Sequence, residues 1–409
     1  MLRELTKADI IPLLTKSEKR NHFINQKIQE SKGELKSPYP SPIDYWNTIF
    51  DGFAKYPSRL DNFIEAKKNQ NRRVFQNYKP FLIDLEPNSR CNFRCTMCQV
   101  SEWERGQRAS DMTYDEFKSL KNLYTYVVEA KIHGMGEPLL HKEFFEMVEF
   151  LGEYSIWTRT SINGSLLLAN NNIDKLVTSS LGEVQISLDG ATKETYEKIR
   201  VRANFEKVTK GILHLNTELE EAGRDLTRMW VVLQEENIHE ISAFVDLAIN
   251  LKFKRLTFSL SLNDWGQEFW RSRNGAKGVE IEKTIEELKS MYRETINNGL
   301  EISLWKQSSK YSLSDGTNGL CPWIFDRTYI GSDMRLTPCA IIGNPDVTDL
   351  GDANSILESW NSQEYMEFRK RHLEGDIPRE CRDCYSLEDT APKYSTQKQV
   401  FVDISQRKS

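Results

Sequence analysis

The chain has 409 residues, of which 39% are apolar and 28% charged, and its formal net charge is −5. This length and composition indicate one large globular domain with smaller attachments. No run approaches the ~18 apolar residues of a membrane span, no secretory signal is evident, and the negative charge argues against bulk nucleic-acid binding. We therefore expect a cytoplasmic protein with no membrane or nucleic-acid partner.

Residues 1–80 show no strand pattern and predict a helical N-terminal extension, which the rigid sequence SPYPSP at 37–42 interrupts. Beyond it, apolar strand-like runs alternate with amphipathic helices. The predicted strands are Phe81–Glu86, Ala130–Met135, Trp157–Asn163, Val184–Asp189, Met229–Gln234 and Arg255–Leu260, and the helices include Tyr114–Val128, Phe144–Tyr154, Phe205–Ala222 and Glu240–Leu251. This alternation indicates an α/β protein with a parallel sheet, either open or closed into a barrel. In both cases the ligand site lies at the carboxyl edge of the strands.

After about residue 300 the elements become short. A hairpin is predicted over 327–339, turning at Gly331–Asp333, and a helix over Ser355–Leu373. The residues from 385 onward predict a polar tail.

Seven cysteines stand out in a chain without an export signal. An odd number argues against a disulfide framework and favours metal or redox chemistry. The cysteines fall into two groups with none left over: Cys91, Cys95 and Cys98, then Cys321, Cys339, Cys381 and Cys384.

The first group has the spacing C-x3-C-x2-C directly after the first predicted strand. A structural zinc site usually takes four ligands, whereas a [4Fe-4S] cluster held by three thiolates keeps one iron free for a ligand. A zinc knuckle or a disulfide within the triple remains an alternative at this point.

The sequence CNFRCTMC around these cysteines resembles the signature loop of the radical S-adenosylmethionine (SAM) superfamily. The resemblance implies a partial (β/α)6 barrel of the TIM type and a [4Fe-4S] cluster whose free iron binds an exchangeable SAM. It also implies that an electron from the cluster cleaves SAM to a 5'-deoxyadenosyl radical. Met97 replaces the aromatic residue that often precedes the third cysteine.

Four further segments resemble the family's cofactor-binding motifs, in order, at successive strand ends. GMGEP resembles the segment that meets the methionine ammonium, and Arg200 is expected to reach the methionine carboxylate. Taken singly, Asp189 could be a turn-capping residue and Arg200 a surface residue. The resemblance implies these SAM contacts: Gly134, Gly136, Glu137, Ser161, Asn163, Ser187, Asp189, Arg200 and Gln234.

The second cysteine group would suit structural zinc on spacing alone. Behind a radical SAM core, it resembles the shortened auxiliary module called a twitch domain, related to the SPASM domain. That resemblance implies a second [4Fe-4S] cluster, bound by four cysteines and suited to electron transfer. The domains expected are a helical extension (1–80), a radical SAM core (81–300), a twitch/SPASM-like domain (301–390) and a tail (391–409).

If all seven cysteines bind iron, no thiol remains to return a hydrogen atom to a substrate radical, which favours an oxidoreductase. We expect a dehydrogenase acting on a small molecule (a carbohydrate, aminocyclitol or nucleotide sugar), with the auxiliary cluster as electron acceptor and a flavodoxin- or ferredoxin-type reductant. The alternatives are a sugar epimerase, a peptide-maturation enzyme and, outside enzymes, a zinc-binding scaffold. Asn263, Asp264 and Trp265 follow the sixth strand and are the candidate catalytic residues.

Overall fold

Ten strands form one sheet in the computed structural model, which describes residues 6–30, 40–68, 72–103, 108, 110–294, 299–305, 310–386 and 400–402. Four shorter strands form two small ladders. In chain order the strands are β1 (Leu82–Leu85), β2 (Arg94–Cys95), β3 (Glu129–Ile132), β4 (Trp157–Ile162), β5 (Leu181–Ser187), β6 (Arg200–Val201), β7 (Thr227–Val232), β8 (Arg255–Ser259), β9 (Glu301–Trp305), β10 (Tyr311–Ser312), β11 (Arg327–Ile330), β12 (Leu336–Thr337), β13 (Tyr385–Ser386) and β14 (Val400–Val402).

The large sheet has the order β12-β11-β1-β3-β4-β5-β7-β8-β9-β14. Every neighbouring pair from β11 to β9 is parallel, and the edge strands β12 and β14 are antiparallel. Each of the six predicted strands is present, so the predicted α/β class is confirmed. Among the described residues the two edges of the sheet do not pair, as expected for a partial barrel.

Helices connect the strands and cover one face of the sheet. The helices are α1 (Lys7–Ile10), α2 (Glu18–Glu30), α3 (Pro42–Lys55), α4 (Pro57–Lys68), α5 (Tyr114–Ser119), α6 (Lys121–Tyr124), α7 (Phe144–Glu153), α8 (Asn172–Thr178), α9 (Lys193–Ile199), α10 (Phe205–Glu221), α11 (Ile241–Asn250), α12 (Glu268–Gly275), α13 (Ile281–Glu294), α14 (Trp323–Asp326), α15 (Ile356–Ser359) and α16 (Gln363–Leu373). Two helices predicted as continuous are interrupted: the one after β2 divides into α5 and α6, and the one after β12 into α15 and α16. None of the helices in the described ranges is both long and apolar enough to cross a membrane.

The two faces of the sheet differ in polarity because side chains alternate along each strand. Residues that face the helices are apolar and buried, such as Ile83, Ile132 and Ile186. The opposite face, which we call the inner face, carries polar and charged residues, including Asp84, Lys131, Arg159, Gln185 and Arg228.

The N-terminal extension lies against the amino ends of the strands. Apolar side chains of α3 pack with Val128 and Trp157 in a cluster separate from the main core. The Tyr45 hydroxyl donates a 2.8 Å hydrogen bond to Glu129 Oε1 at the start of β3. The extension therefore covers the edge of the sheet opposite to the cysteine loop.

The C-terminal segment is continuous with the sheet. The predicted hairpin is present as β11 and β12, and β11 extends the sheet by pairing with β1. Glu301–Trp305, placed in the auxiliary domain by the sequence, pairs with β8 and belongs to the core sheet. Of the tail predicted over 391–409, only 400–402 falls within the described residues, and it forms β14 against β9.

Candidate active site

The loop with the first three cysteines follows β1 at the carboxyl edge of the sheet. It is held by the β2–β6 ladder, which places Cys95 opposite Arg200, and by a 2.9 Å hydrogen bond from the Thr96 amide to the Ile199 carbonyl. The loop is thus fixed by the chain segment that follows α9, about a hundred residues later in the sequence.

The three thiols lie close enough to affect one another electrostatically. Burial raises the pKa of Cys91 and of Cys95 to about 12. The Cys98 thiol raises both pKa values further, whereas the Arg200 guanidinium lowers both. Buried thiols of this kind ionise only when a cation compensates the charge, as in metal binding. Within the described residues, no three His, Cys, Asp or Glu side chains converge tightly enough to hold a single ion. Three thiols on one loop are the kind of donor set that holds an iron-sulfur cluster.

Glu137 lies beside this loop with one carboxylate oxygen available. Its Oε2 accepts a 2.8 Å hydrogen bond from the Asn163 amide, whereas Oε1 is buried and has no hydrogen-bond partner among the described residues. Burial raises the pKa of Glu137 to about 7, against the backbone amides of Asn163 and Leu139 and the charge of Arg200. A buried, unpaired carboxylate oxygen fits a cationic ligand such as an ammonium group.

Gly134 and Gly136 lie where the GMGEP segment packs tightly against other parts of the chain. A Cβ atom at Gly134 would overlap the Glu86 side chain, and one at Gly136 would overlap the backbone of Asn88 and Arg90. The glycines therefore let the GMGEP segment pack against the end of β1, and nothing in the structure assigns them a contact with a ligand.

Asn163 connects the end of β4 to the cysteine loop. Its Nδ2 donates to Asn92 Oδ1 at 2.9 Å and lies 4.0 Å from Cys91 Sγ. Asn92, which the sequence reasoning missed, also donates to the Ser165 hydroxyl at 2.8 Å. Ser161 and Ser187 lie on the inner face near the ends of β4 and β5, where both keep some exposure to solvent.

Asp189 and Arg200 form a buried ion pair next to Cys95. Arg200 Nη2 lies 2.6 Å from Asp189 Oδ2, and Nη1 lies 4.0 Å from Cys95 Sγ. Burial lowers the pKa of Arg200, but Asp189 and Cys95 outweigh it and keep the pKa above its ordinary value. Both terminal nitrogens thus have partners in the protein. Gln234 is completely buried, and neither of its side-chain polar atoms has a partner among the described residues.

Asn263, Asp264 and Trp265 form a loop that packs against the cysteine loop. Trp265 Nε1 donates a 3.1 Å hydrogen bond to the Met97 carbonyl, and Asp264 Oδ2 pairs with Arg271 at 2.7 Å. The Asn263 carbonyl accepts a hydrogen bond from Asn274, which also donates to Met97. These contacts hold the predicted catalytic residues Asn263, Asp264 and Trp265 against the loop of Cys91, Cys95 and Cys98.

The other four cysteines form a second group. Burial raises the pKa of Cys381, and Cys339, Cys321 and Cys384 raise it further, so the four thiols lie near one another. The Cys321 amide donates to the Tyr385 hydroxyl at 2.8 Å, and the Cys384 carbonyl accepts from the Lys310 amide at 2.8 Å. The β10–β13 ladder holds these two ends of the group together.

The sequence reasoning also missed the charged inner face. Lys131 on β3, Arg159 on β4 and Glu183 on β5 occupy one register row across the sheet. The polar residue at every second position of these strands indicates a charged face as well as a strand, and the sequence analysis used it only to predict the strands.

Comparison with known proteins agrees with this architecture. Residues 85–248 match the radical SAM superfamily, and residues 321–385 match the SPASM iron-sulfur cluster-binding domain. The SAM-bound structure of SuiB from Streptococcus suis aligns with 86% of this chain and 78% of its own, with 15% identity and a TM-score of 0.57, which shows a shared fold.

Two curated relatives match shorter stretches. "Mycofactocin maturase MftC" of Mycolicibacterium smegmatis is 26% identical over 171 residues, which is 41% of this chain and 42% of that protein. "Probable GTP 3',8-cyclase" of Methanococcus maripaludis is 32% identical over 142 residues, 34% of this chain and 46% of that protein. The matched stretch thus spans less than half of these relatives. The two domains imply two [4Fe-4S] clusters and SAM as cofactors, and the chain belongs to the radical SAM superfamily with a C-terminal SPASM-type domain.

Proposed function

We propose that this chain is a radical SAM dehydrogenase that oxidises a C–H bond of a small polar substrate, first of all a carbohydrate, aminocyclitol or nucleotide sugar. The observation that carries the proposal is the division of the seven half-buried cysteines into one group of three and one group of four. A radical epimerase that returned hydrogen from a cysteine would need an eighth thiol, or one outside these groups.

In this proposal Cys91, Cys95 and Cys98 hold the cluster that binds SAM. Bound SAM supplies the 5'-deoxyadenosyl radical that removes a hydrogen atom from the substrate. Glu137 offers Oε1 to the methionine ammonium, and Gln234 offers a buried amide; within the described ranges none of these polar atoms has a hydrogen-bond partner. Arg200 orients Asp189 and compensates charge at Cys95, which is a narrower role than direct contact with the methionine carboxylate.

Cys321, Cys339, Cys381 and Cys384 hold the second cluster, which the proposal makes the electron acceptor. After hydrogen abstraction, the substrate must lose one further electron and one proton to become the oxidised product. Four thiolates provide one ligand for each iron of such a cluster and leave no iron free for a substrate. The cluster is therefore better suited to electron transfer than to substrate binding. A reduced flavodoxin- or ferredoxin-type protein would give one electron to the first cluster, and the oxidised form of such a protein would take one electron from the second.

The test is product analysis with the anaerobically reconstituted protein, a reductant, SAM and a panel of aminocyclitols and nucleotide sugars. We expect 5'-deoxyadenosine together with a product that has lost two hydrogen atoms. Cys321→Ala should retain 5'-deoxyadenosine formation but lose the oxidised product, and its iron content should fall from about eight to about four per chain. In deuterated buffer, a product that gains deuterium at carbon without oxidation would overturn the dehydrogenase in favour of an epimerase.

Peptide maturation is the second candidate, because one curated relative is named a maturase. The same assay with candidate precursor peptides separates the two. A modified peptide, with no change in any sugar or cyclitol, would replace the first proposal. Zinc with no iron after reconstitution would instead support the scaffold alternative.

A further inference from the structure

Two tryptophans lie on the inner face of the sheet near the carboxyl ends of β7 and β9. Trp230 precedes Val231 on β7 and Trp305 follows Leu304 on β9, and Val231 and Leu304 belong to the main core. Because side chains alternate along a strand, both rings are on the inner face. Their centroids are 6.3 Å apart, and both residues are half-buried.

Lys310 connects this part of the inner face to the second cysteine group. Its Nζ lies 3.9 Å from the centroid of the Trp305 ring, and its amide donates a 2.8 Å hydrogen bond to the Cys384 carbonyl. Burial lowers the pKa of Lys310, whereas the thiols of Cys321 and Cys384 raise it, so the ammonium lies close to both. The cation is therefore held between a tryptophan of the sheet and two of the four cysteines.

Tyr311, the next residue along the chain, acts on the same cysteine group. Burial raises the pKa of Cys321, and a hydrogen bond from the Trp323 amide lowers it. A hydrogen bond with the Tyr311 hydroxyl and the charges of Arg72 and Lys310 lower the pKa further. Tyr311 is 6% exposed and lies on β10, in the ladder that holds the group together. The thiolate form of Cys321 is thus stabilised by both residues 310 and 311.

The charge around a cysteine-bound cluster helps to determine its reduction potential. Reduction adds one negative charge to the cluster, so a nearby cation and a hydrogen bond to a ligand sulfur both favour the reduced form. Burial and two neighbouring thiols raise the pKa of Cys384, and the carboxylates Asp264 and Asp383 raise it further. Lys310 opposes these negative charges from a half-buried position, where water screens its charge incompletely.

We propose that Lys310 and Tyr311 raise the reduction potential of the second cluster and so make it a better electron acceptor for the substrate radical. In that step the radical gives one electron to the oxidised cluster and one proton to water. The inference rests on the proposed function for the source of this electron. Both are positioning residues, because they act on the cluster through Cys321 and Cys384 and need no contact with the substrate.

The test is a redox titration of the anaerobically reconstituted protein, followed by electron paramagnetic resonance. The signal of the second cluster is the one that Cys321→Ala lacks. At a fixed potential, Lys310→Met should lower the ratio of reduced to oxidised second cluster by tenfold or more, a shift of about 59 mV or more for one electron. Lys310→Arg keeps the charge and should stay near the native ratio. Tyr311→Phe, a smaller change, should lower the ratio as well.

Lys118→Met is the matched control. Its ammonium lies 4.6 Å from the centroid of the Tyr114 ring on α5 and pairs with the exposed Asp115, so the variant should titrate like the native protein. Native ratios in Lys310→Met and Tyr311→Phe, with about eight iron per chain, overturn the proposal. An equal shift in Lys310→Arg and Lys310→Met also overturns it, because lost packing would then be the cause. The titration needs no substrate, so its failure is distinct from failure of the dehydrogenase proposal, which the product assay reports.

Discussion

At the scale of single residues, Glu137 is the clearest test of the cofactor site. Its buried Oε1 has no hydrogen-bond partner in the described part of the chain, and burial raises its pKa to about 7. Glu137→Gln keeps the size and removes the charge. A charged hydrogen bond contributes about 1.5–3 kcal/mol, so we expect SAM affinity to fall by about tenfold or more.

Equilibrium dialysis with SAM measures this effect, and iron analysis shows whether the cluster is intact. The iron content of Glu137→Gln should match that of the native protein. Glu146→Gln, an exposed residue on α7, is the control and should bind SAM normally. Unchanged SAM affinity in Glu137→Gln would remove the carboxylate from the cofactor site.

Lys131 predicts a dependence of stability on pH. Burial first, and then Arg159, lower its pKa to about 8, although Asp84 and Glu183 oppose the shift. An unfolded lysine titrates near pH ~10.4, so between about pH 8 and 10.4 the unfolded chain holds a proton that the folded chain has lost. The free energy of unfolding should therefore rise with pH across this window. The groups that face Lys131 are Asp84 on β1, His133 on its own strand, Arg159 on β4, Glu183 and Gln185 on β5, and Arg327 on β11.

Lys131→Met should remove this rise and should be more stable than the native protein below pH 8, where the native lysine is charged in both states. Urea unfolding at pH 7 and at pH 9.5 measures the difference, which should shrink at the higher pH. Lys252→Met corrects for the loss of a surface lysine. A Lys131→Met variant that is less stable at pH 7 would mean that the ammonium is compensated in the native fold.

At the scale of elements, the loop after β8 fastens the cysteine loop. Asn274 on α12 is 2% exposed, and its Nδ2 donates to the Met97 carbonyl at 3.2 Å and to the Asn263 carbonyl at 2.5 Å. Asn274→Ala removes both bonds, at a cost of about 1 kcal/mol each. We expect the melting temperature to fall by a few degrees and iron to be lost faster from the first cluster. Asn250→Ala, an exposed position at the end of α11, should change neither quantity.

The sequence predicted the strands and both cysteine groups because these signals are local. The prediction from sequence was incomplete where a residue far along the chain determines the local structure. The helix predicted to continue to Val128 ends at Tyr124, whose carbonyl accepts a 2.8 Å hydrogen bond from Arg59 of the N-terminal extension. The role of Asn92 was also invisible, because its partners Asn163 and Ser165 lie on another strand end.

At the scale of the whole molecule, a buried bridge joins the core sheet to the C-terminal domain. Glu86, at the end of β1, has no exposure; its Oε1 accepts from the Met135 amide at 2.8 Å, and its Oε2 accepts from Ser332 at 3.1 Å and from Arg108 at 3.3 Å. Arg108 in turn donates to the Gly343 carbonyl at 2.6 Å. Glu86 therefore links the strand beside the first cluster to the segment that contains Cys339.

Arg108→Met should destabilise the protein by about 3–5 kcal/mol, because breaking a buried pair leaves an uncompensated carboxylate. Burial raises the pKa of Glu86, and Arg108 lowers it. Loss of the arginine should therefore raise the pKa of Glu86 further. The double variant Glu86→Gln with Arg108→Met should recover part of this loss, since no charge then remains unpaired. Urea unfolding of the two single variants and the double variant gives the coupling free energy. Arg371→Met, which breaks the exposed pair with Asp376, should cost less than about 1 kcal/mol. Strictly additive effects of the two core substitutions would show that Glu86 and Arg108 do not stabilise one another.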